Sequence, residues 1–437
     1  MNPLAQKAND TIIASNPYIV DMLSDVGKEL YFPRGILTQG AEAKEKAHAI
    51  NATIGIATGK EGVLYFPSVM ECIPGIIADE ALPYASSYGI PDLRKLWKEE
   101  LLQKNPSLRD KIITSPVVTC GITHGLSIFA DLWINPGDTL ILPKMMWGNY
   151  QLLFGVRKRA NITFYPVYTD DLKFDVDGFA QKIREEAAKN DKIVVLLNFP
   201  HNPSGYTASV KEAQKMADVL IEVAKNGTNV VVVCDDAYFG LFFDAETEKE
   251  SLFAKLCGQH ERLMPVKLDG GTKENFIWGL RVGFITHGII GKGDMAAAAT
   301  ALEAKTGGCV RGMISNASHL SQRILLKSMK NQTYLKEKQE KFEILEKRAN
   351  CVRKVLENPK YQTAWDVYPF NSGYFMCLRL KKTDAEKTRL YLLDKYGIGL
   401  ISMGEKDLRI AFSCVEEKDI PALFDTIFQA IEEMNPS

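Results

Sequence analysis

Several familiar signatures are missing from the 437-residue sequence. It has no GxGxxG run and no GxxxxGK run followed by Ser or Thr, which sets aside a Rossmann-type dehydrogenase and a P-loop nucleotide hydrolase. The eight cysteines (Cys72, Cys120, Cys234, Cys257, Cys309, Cys351, Cys377 and Cys414) include no CxxC pair, so no metal site is expected. Several lie in apolar runs such as VVVVCDD and YFMCLRL, as reduced, buried thiols of a cytoplasmic protein do. Neither sign of charge is in excess: 53 Lys and Arg face 54 Asp and Glu, a net charge of −1. The cations between Lys327 and Arg353 alternate with glutamates, as on a solvated helix face. That balance offers no whole-chain field for nucleic acid or an anionic membrane. No apolar run is long enough to span a bilayer, and the first residues lack the basic and apolar regions of a secretory signal. No repeat or low-complexity tract stands out.

What is present is an ordinary globular composition, 46% apolar and 24% charged, over a length that calls for more than one core. Short β-branched runs (DTLILP, KIVVLLNFP, NVVVVCDDAY, RVGFITHG) alternate with helical periodicity such as SVKEAQKMADVLIEVAKNG, which opens at Ser209 and stops at Asn226-Gly227. Continuously apolar strands between helices predict an α/β fold, with a mostly parallel sheet covered on both faces. The pattern from Ser318 to about Glu357 reads as one long helix, and the segments after it read as a smaller α+β unit. The expected division is 1–60 as an N-terminal arm and part of the small domain, 61–325 as the large domain, and 326–437 as the small C-terminal domain.

In open parallel sheets ligands bind beyond the carboxyl ends of the strands, so the residues there are the candidates. IVVLLNFP is followed by HNPSG, which is a turn signal and also presents the amide of Asn202. NVVVVC ends in Asp235, with Tyr238 three residues later; a carboxylate closing so apolar a strand is a helix cap, a salt bridge, or the partner of a cationic ring nitrogen. DTLILP leads to Trp147, a core residue or a flat face for stacking. VVTCGITHGL brings Gly121, Ile122 and Thr123 to a helix start, where backbone N–H groups can meet an anion. LDGGTKENFIWGLRVGF holds Lys273, after Thr272, and Arg281 eight positions on. Alone, Lys273 reads as a solvated lysine in a turn. Together, an amine, a carboxylate, an amide, a phenol, a flat aromatic, a helix N-terminus and an arginine form the set that a planar phosphorylated aldehyde requires.

These motifs, in the order YASSYGIPDLR, TCGITHGL, MMWGNY, HNPSG, DDAY, the lysine segment, VRGMISN and LRIAFS, resemble the class I aminotransferases that use pyridoxal phosphate on the type I fold. The resemblance runs from about Asn51 to Ser413 and implies a large domain plus a small domain built from both chain ends. It implies Lys273 as the Schiff-base lysine and proton shuttle, Asp235 as the partner of the pyridine nitrogen, and Asn202 with Tyr238 on the ring oxygen. Trp147 would stack on the ring. Gly121, Ile122, Thr123, Thr272 and Arg281 would hold the phosphate, joined by Tyr84 from the neighbouring subunit of a homodimer. Arg409 would grip the substrate α-carboxylate, and Ile56 and Ala57 would belong to a segment closing over the substrate.

Two positions depart from the family pattern. Gly270 stands where many relatives have a phosphate-binding serine, and TCGITH lacks the serine-glycine-threonine run of the aspartate enzymes, keeping only Thr123. Arg311 in VRGMISN resembles an arginine that crosses the dimer interface to a distal carboxylate; an ordinary surface or interface arginine is the alternative. The implied function is ping-pong transamination between an L-amino acid, dicarboxylic or aromatic, and a 2-oxo acid. A C–S β-lyase or decarboxylase on the same scaffold, and a non-catalytic cofactor-sensing domain, are the alternatives.

Overall fold

The structure, a computed structural model, describes residues 1–31 and 36–435. Residues 32–35 and 436–437, assigned above to the arm and the C-terminal domain, lie outside the described residues.

The central sheet has eight strands. Their spatial order is Ile112–Ile113, Gly283–Ile289, Leu263–Asp269, Asn229–Asp235, Lys192–Asn198, Thr139–Pro143 and Asn161–Tyr165, with Val117–Thr119 also paired to Gly283–Ile289. Neighbours from Leu263–Asp269 to Asn161–Tyr165 run parallel, whereas Gly283–Ile289 is antiparallel to every strand it touches. The continuous apolar runs follow from burial on both faces. Ile193, Val195 and Leu197 pack on one side with the Val176–Ala187 and Val210–Lys225 helices, while Val194 and Leu196 pack on the other with Gly121–Trp133. Ser209 caps its helix as the sequence predicts. Its hydroxyl accepts from the Glu212 N–H at 3.3 Å, and the Glu212 carboxylate accepts from the Ser209 N–H at 2.7 Å.

A second, antiparallel sheet joins Trp365–Val367, Met376–Leu380, Asp407–Ile410 and Ile401–Met403. Beside it, Ile50–Asn51 pairs in parallel with Ile398–Gly399, tying an early segment to a late one.

The long helix expected over Ser318–Glu357 is two helices, His319–Met329 and Tyr334–Leu356. Between them the Asn331 Oδ1 accepts from both the N–H and the hydroxyl of Thr333, at 2.9 Å each, a local bond that competes with the helical one. Among the cysteines, Cys234, Cys257 and Cys377 are buried, but Cys120 is exposed. No helix among the described residues is long and apolar enough to cross a membrane.

Candidate active site

A cavity of about 250 Å³ opens beyond the carboxyl ends of the parallel strands. Asn198 and Asp235 end adjacent strands in register, and Lys273 follows the next strand after a four-residue step. Trp147, Asn202, Tyr238, Thr272, Arg281, Ile122, Thr123 and Arg409 join them in the wall, with Gly55, Tyr150, Ala237 and Phe375. Segments distant in the chain are thereby brought together around one amine.

Asp235 is almost fully buried. Its Oδ2 accepts from the Tyr150 hydroxyl at 2.6 Å, and the Asn198 amide donates to its backbone carbonyl at 2.8 Å. Its Oδ1 is buried without a partner among the described residues. Burial raises its carboxyl to about 6, held back by the Tyr150 hydrogen bond and the charge of Lys273. Lys273 is half-buried and faces the cavity, its ammonium 5.2 Å from the centre of the Tyr238 ring. Burial lowers its pKa from 10.5 to about 8; Asp235 opposes this shift and Arg281 adds to it. An amine so tuned is substantially neutral near pH 8 and able to act as a nucleophile.

Arg409 is buried on the strand Asp407–Ile410, with its guanidinium 4.3 Å from the Phe375 ring centre. It donates to Asn202 Oδ1 at 3.2 Å and to the Thr53 carbonyl at 2.8 Å, while its buried Nε has no acceptor among the described residues. A buried guanidinium with an unspent donor is suited to a carboxylate. The Asn202 turn is locked against the small sheet: a Cβ at Gly205, where φ is +74°, would fall 1.9 Å from the Phe375 carbonyl oxygen.

Gly121 starts the helix Gly121–Trp133 with φ at +73°, and a Cβ there would sit 2.5 Å from the Arg281 guanidinium. The bare backbone and the arginine thus converge at a helix N-terminus, an anion-binding geometry. Gly270 has extended backbone, and a Cβ on it would lie 2.6 Å from the Val282 carbonyl oxygen and 2.7 Å from the Gly283 Cα. The family's serine therefore has no room at this position, and the buried Thr272 hydroxyl, unpartnered among the described residues, is the nearby oxygen that lines the cavity.

The cavity does not gather every predicted residue. Gly55 lines it, whereas Ile56 and Ala57 stand behind: the Ile56 carbonyl accepts from the Ser413 hydroxyl at 2.6 Å, and Ala57 is buried in the core. Tyr84 is 91% exposed. Arg311 lies on the exposed end of the helix Met295–Ile314, bonded to the Ser315 hydroxyl at 2.7 Å. Neither of these two touches the cavity of its own chain. Sequence reasoning missed Tyr150, Asn198 and Phe375. Tyr150 was within sight in MMWGNY, three residues after Trp147, but its role depends on Asp235 being across from it.

The family model for aminotransferase class I and II matches residues 48–427. An aspartate aminotransferase from Sulfurisphaera tokodaii is 28% identical over 239 residues, 53% of this chain, and the chain spans about half the length of that relative (54%). Among solved structures, an aminotransferase from Anaerococcus prevotii superposes with a TM-score of 0.82 at 24% identity, covering 95% of this chain and all of that one. A kynurenine aminotransferase from Pyrococcus horikoshii, solved with PMP and kynurenine, gives a TM-score of 0.77 at 18% identity, covering 96% and 99%.

Proposed function

Because the chain belongs to the class I and II aminotransferases, we propose that it moves an amino group between an L-amino acid and a 2-oxo acid on pyridoxal phosphate held in the cavity around Lys273. The observation that supports this most is the pairing of an amine brought down to about 8 with a buried carboxylate whose Oδ1 lacks a protein partner. An orphaned oxygen at that depth costs about 1–3 kcal/mol unless something bonds to it. A protonated ring nitrogen is such a donor, so the residues present fit this cofactor.

When bound, pyridoxal phosphate supplies an aldehyde for the amine and a protonated ring that draws electrons from the bonds at the amino acid Cα. Lys273 is the nucleophile, and its Nζ carries the proton removed from the substrate Cα. Asp235 would keep the ring nitrogen protonated; the Tyr150 hydroxyl holds its carboxylate, and the Asn198 amide holds its backbone carbonyl. Asn202 and Tyr238 would hold the ring oxygen, Trp147 would stack on the ring, and the Gly121–Thr123 backbone with Thr272 and Arg281 would hold the phosphate. Arg409 grips the substrate α-carboxylate. Two copies of the chain share their sites, with Tyr84 and Arg311 acting across the interface and Arg311 selecting a dicarboxylic substrate over an aromatic one.

The decisive experiment is borohydride reduction of the purified yellow protein followed by peptide mapping. The cofactor is expected on Lys273, and an adduct elsewhere or a colourless protein overturns the reading.

A further inference from the structure

The segment that carries Lys273, Gly271–Glu274, is a single helical turn. A turn that short does not hold its own shape in water. Its stability comes from outside, through three consecutive residues. The Lys273 carbonyl accepts from the Tyr374 hydroxyl at 3.1 Å. Glu274 is buried, and its Oε1 accepts from the ammonium of Lys104 and from that of Lys338, the latter at 2.6 Å. Asn275 is fully buried and donates from Nδ2 to the Tyr334 hydroxyl at 2.7 Å.

Tyr334 and Lys338 are one turn apart on the helix Tyr334–Leu356, so a single helix face takes hold of both residues after the amine. Lys104 is the last residue of the helix Pro91–Lys104 and is shared with Glu100 at 2.9 Å. Neither Glu274 nor Asn275 lines the cavity. Burying a carboxylate with two ammonium groups carries a desolvation cost that apolar residues of similar size would avoid. What the ions add is a fixed direction, since the carboxylate must meet both cations at once. Burial, Asp235 and Arg281 account for the lowered pKa of Lys273, and Glu274 has no part in that shift, so its influence is on position.

We propose that Glu274 and Asn275 are positioning residues that clamp the Lys273 turn to the helix Tyr334–Leu356 and so set where the amine stands in the cavity. This rests on the reading of Lys273 as the cofactor-bearing residue. The clamp acts before any substrate arrives, so it governs the first encounter of the amine with the aldehyde, in which the lysine nitrogen bonds to the aldehyde carbon and water leaves.

The test follows that encounter. Wild type, Glu274→Gln, Glu274→Gln with Lys338→Met, and Tyr334→Phe are stripped of cofactor and mixed with pyridoxal phosphate. The attachment rate is read by absorbance, the product is trapped with borohydride and mapped, and Tm is recorded for each. Glu274→Gln is expected to lower both Tm and the attachment rate. The double variant removes the stranded ammonium and recovers Tm, while attachment stays about tenfold or more below wild type, since small misplacements of a reacting group are costly. Tyr334→Phe leaves the buried Asn275 amide without its acceptor, so it is expected to lower Tm and to slow attachment as well. A double variant whose attachment recovers together with its Tm overturns the proposal, because the role is then structural only. Should Glu274→Gln not fold, Tyr334→Phe decides, and attachment at the wild-type rate overturns the clamp. If wild type itself yields no adduct at Lys273, the functional reading falls and the clamp with it. A wild-type adduct at Lys273 with unaffected variants removes the clamp alone.

Discussion

Gly270 shows how a single atom can decide a family difference. With backbone oxygen and carbon 2.6 and 2.7 Å from its would-be Cβ, neither neighbour is a flexible side-chain end. Gly270→Ser is expected to destabilise the protein by about 1–3 kcal/mol, read from urea unfolding, without adding a phosphate ligand. Lys273 makes a second residue-scale prediction through pH. Its folded pKa of about 8 lies below the ordinary 10.5, so between those values the unfolded chain binds more protons than the folded one. The cofactor-free protein should therefore gain stability relative to Lys273→Met as pH rises from about 8 to 10.5, and lose that gain as pH falls; parallel urea midpoints for the two proteins would refute this. At this scale Asp235 and Asn202 were readable, because each follows an apolar strand and a polar residue there needs a reason, whereas Lys273 alone read as a solvated lysine and stood out only in combination with them. Tyr150 and Phe375 were not, because a phenol or a ring acquires a role only from its neighbour across space.

At the scale of elements, the anion end of the cavity depends on a helix start with unusual backbone. Gly121 sits at φ +73° and Arg281 at φ +56°. Gly121→Ala adds a left-handed strain of about 1–2 kcal/mol and pushes the flexible end of Arg281 aside. It should leave the fold intact and weaken pyridoxal phosphate retention by tenfold or more, about 1.4 kcal/mol, measured by dialysis against a cofactor-free buffer. Helix existence was legible from periodicity, as at Ser209, but continuity was not: the Asn331–Thr333 bonds split a segment whose pattern ran through. A further element escaped because no period marks it. Gln151–Val156 winds as a π-helix directly after Tyr150, a wider turn that is common near functional sites.

For the whole molecule, the exposed Tyr84 and Arg311 turn the shared-site proposal into a mixing experiment. Lys273→Ala and Arg311→Leu should each be poor with dicarboxylic substrates alone. Refolded together, they should regain activity, since one site of a mixed dimer combines an intact Lys273 with an intact Arg311 from the other chain; no recovery would count against site sharing. The two-sheet organisation was legible from the change of pattern after the long helical stretch, whereas the parallel pairing of Ile50–Asn51 with Ile398–Gly399 was not, since strands of two residues leave no readable period. The hydrogen bond from Arg409 to the Thr53 carbonyl joins positions 356 apart in sequence. Contacts of that span form late, because the loop they close must first be gathered. During synthesis the Gly55 side of the cavity therefore waits for almost the whole chain to emerge, and a nascent chain lacking residues 407–413 has the lysine but not the finished pocket. Cofactor capture then belongs to the completed protein rather than to the growing one.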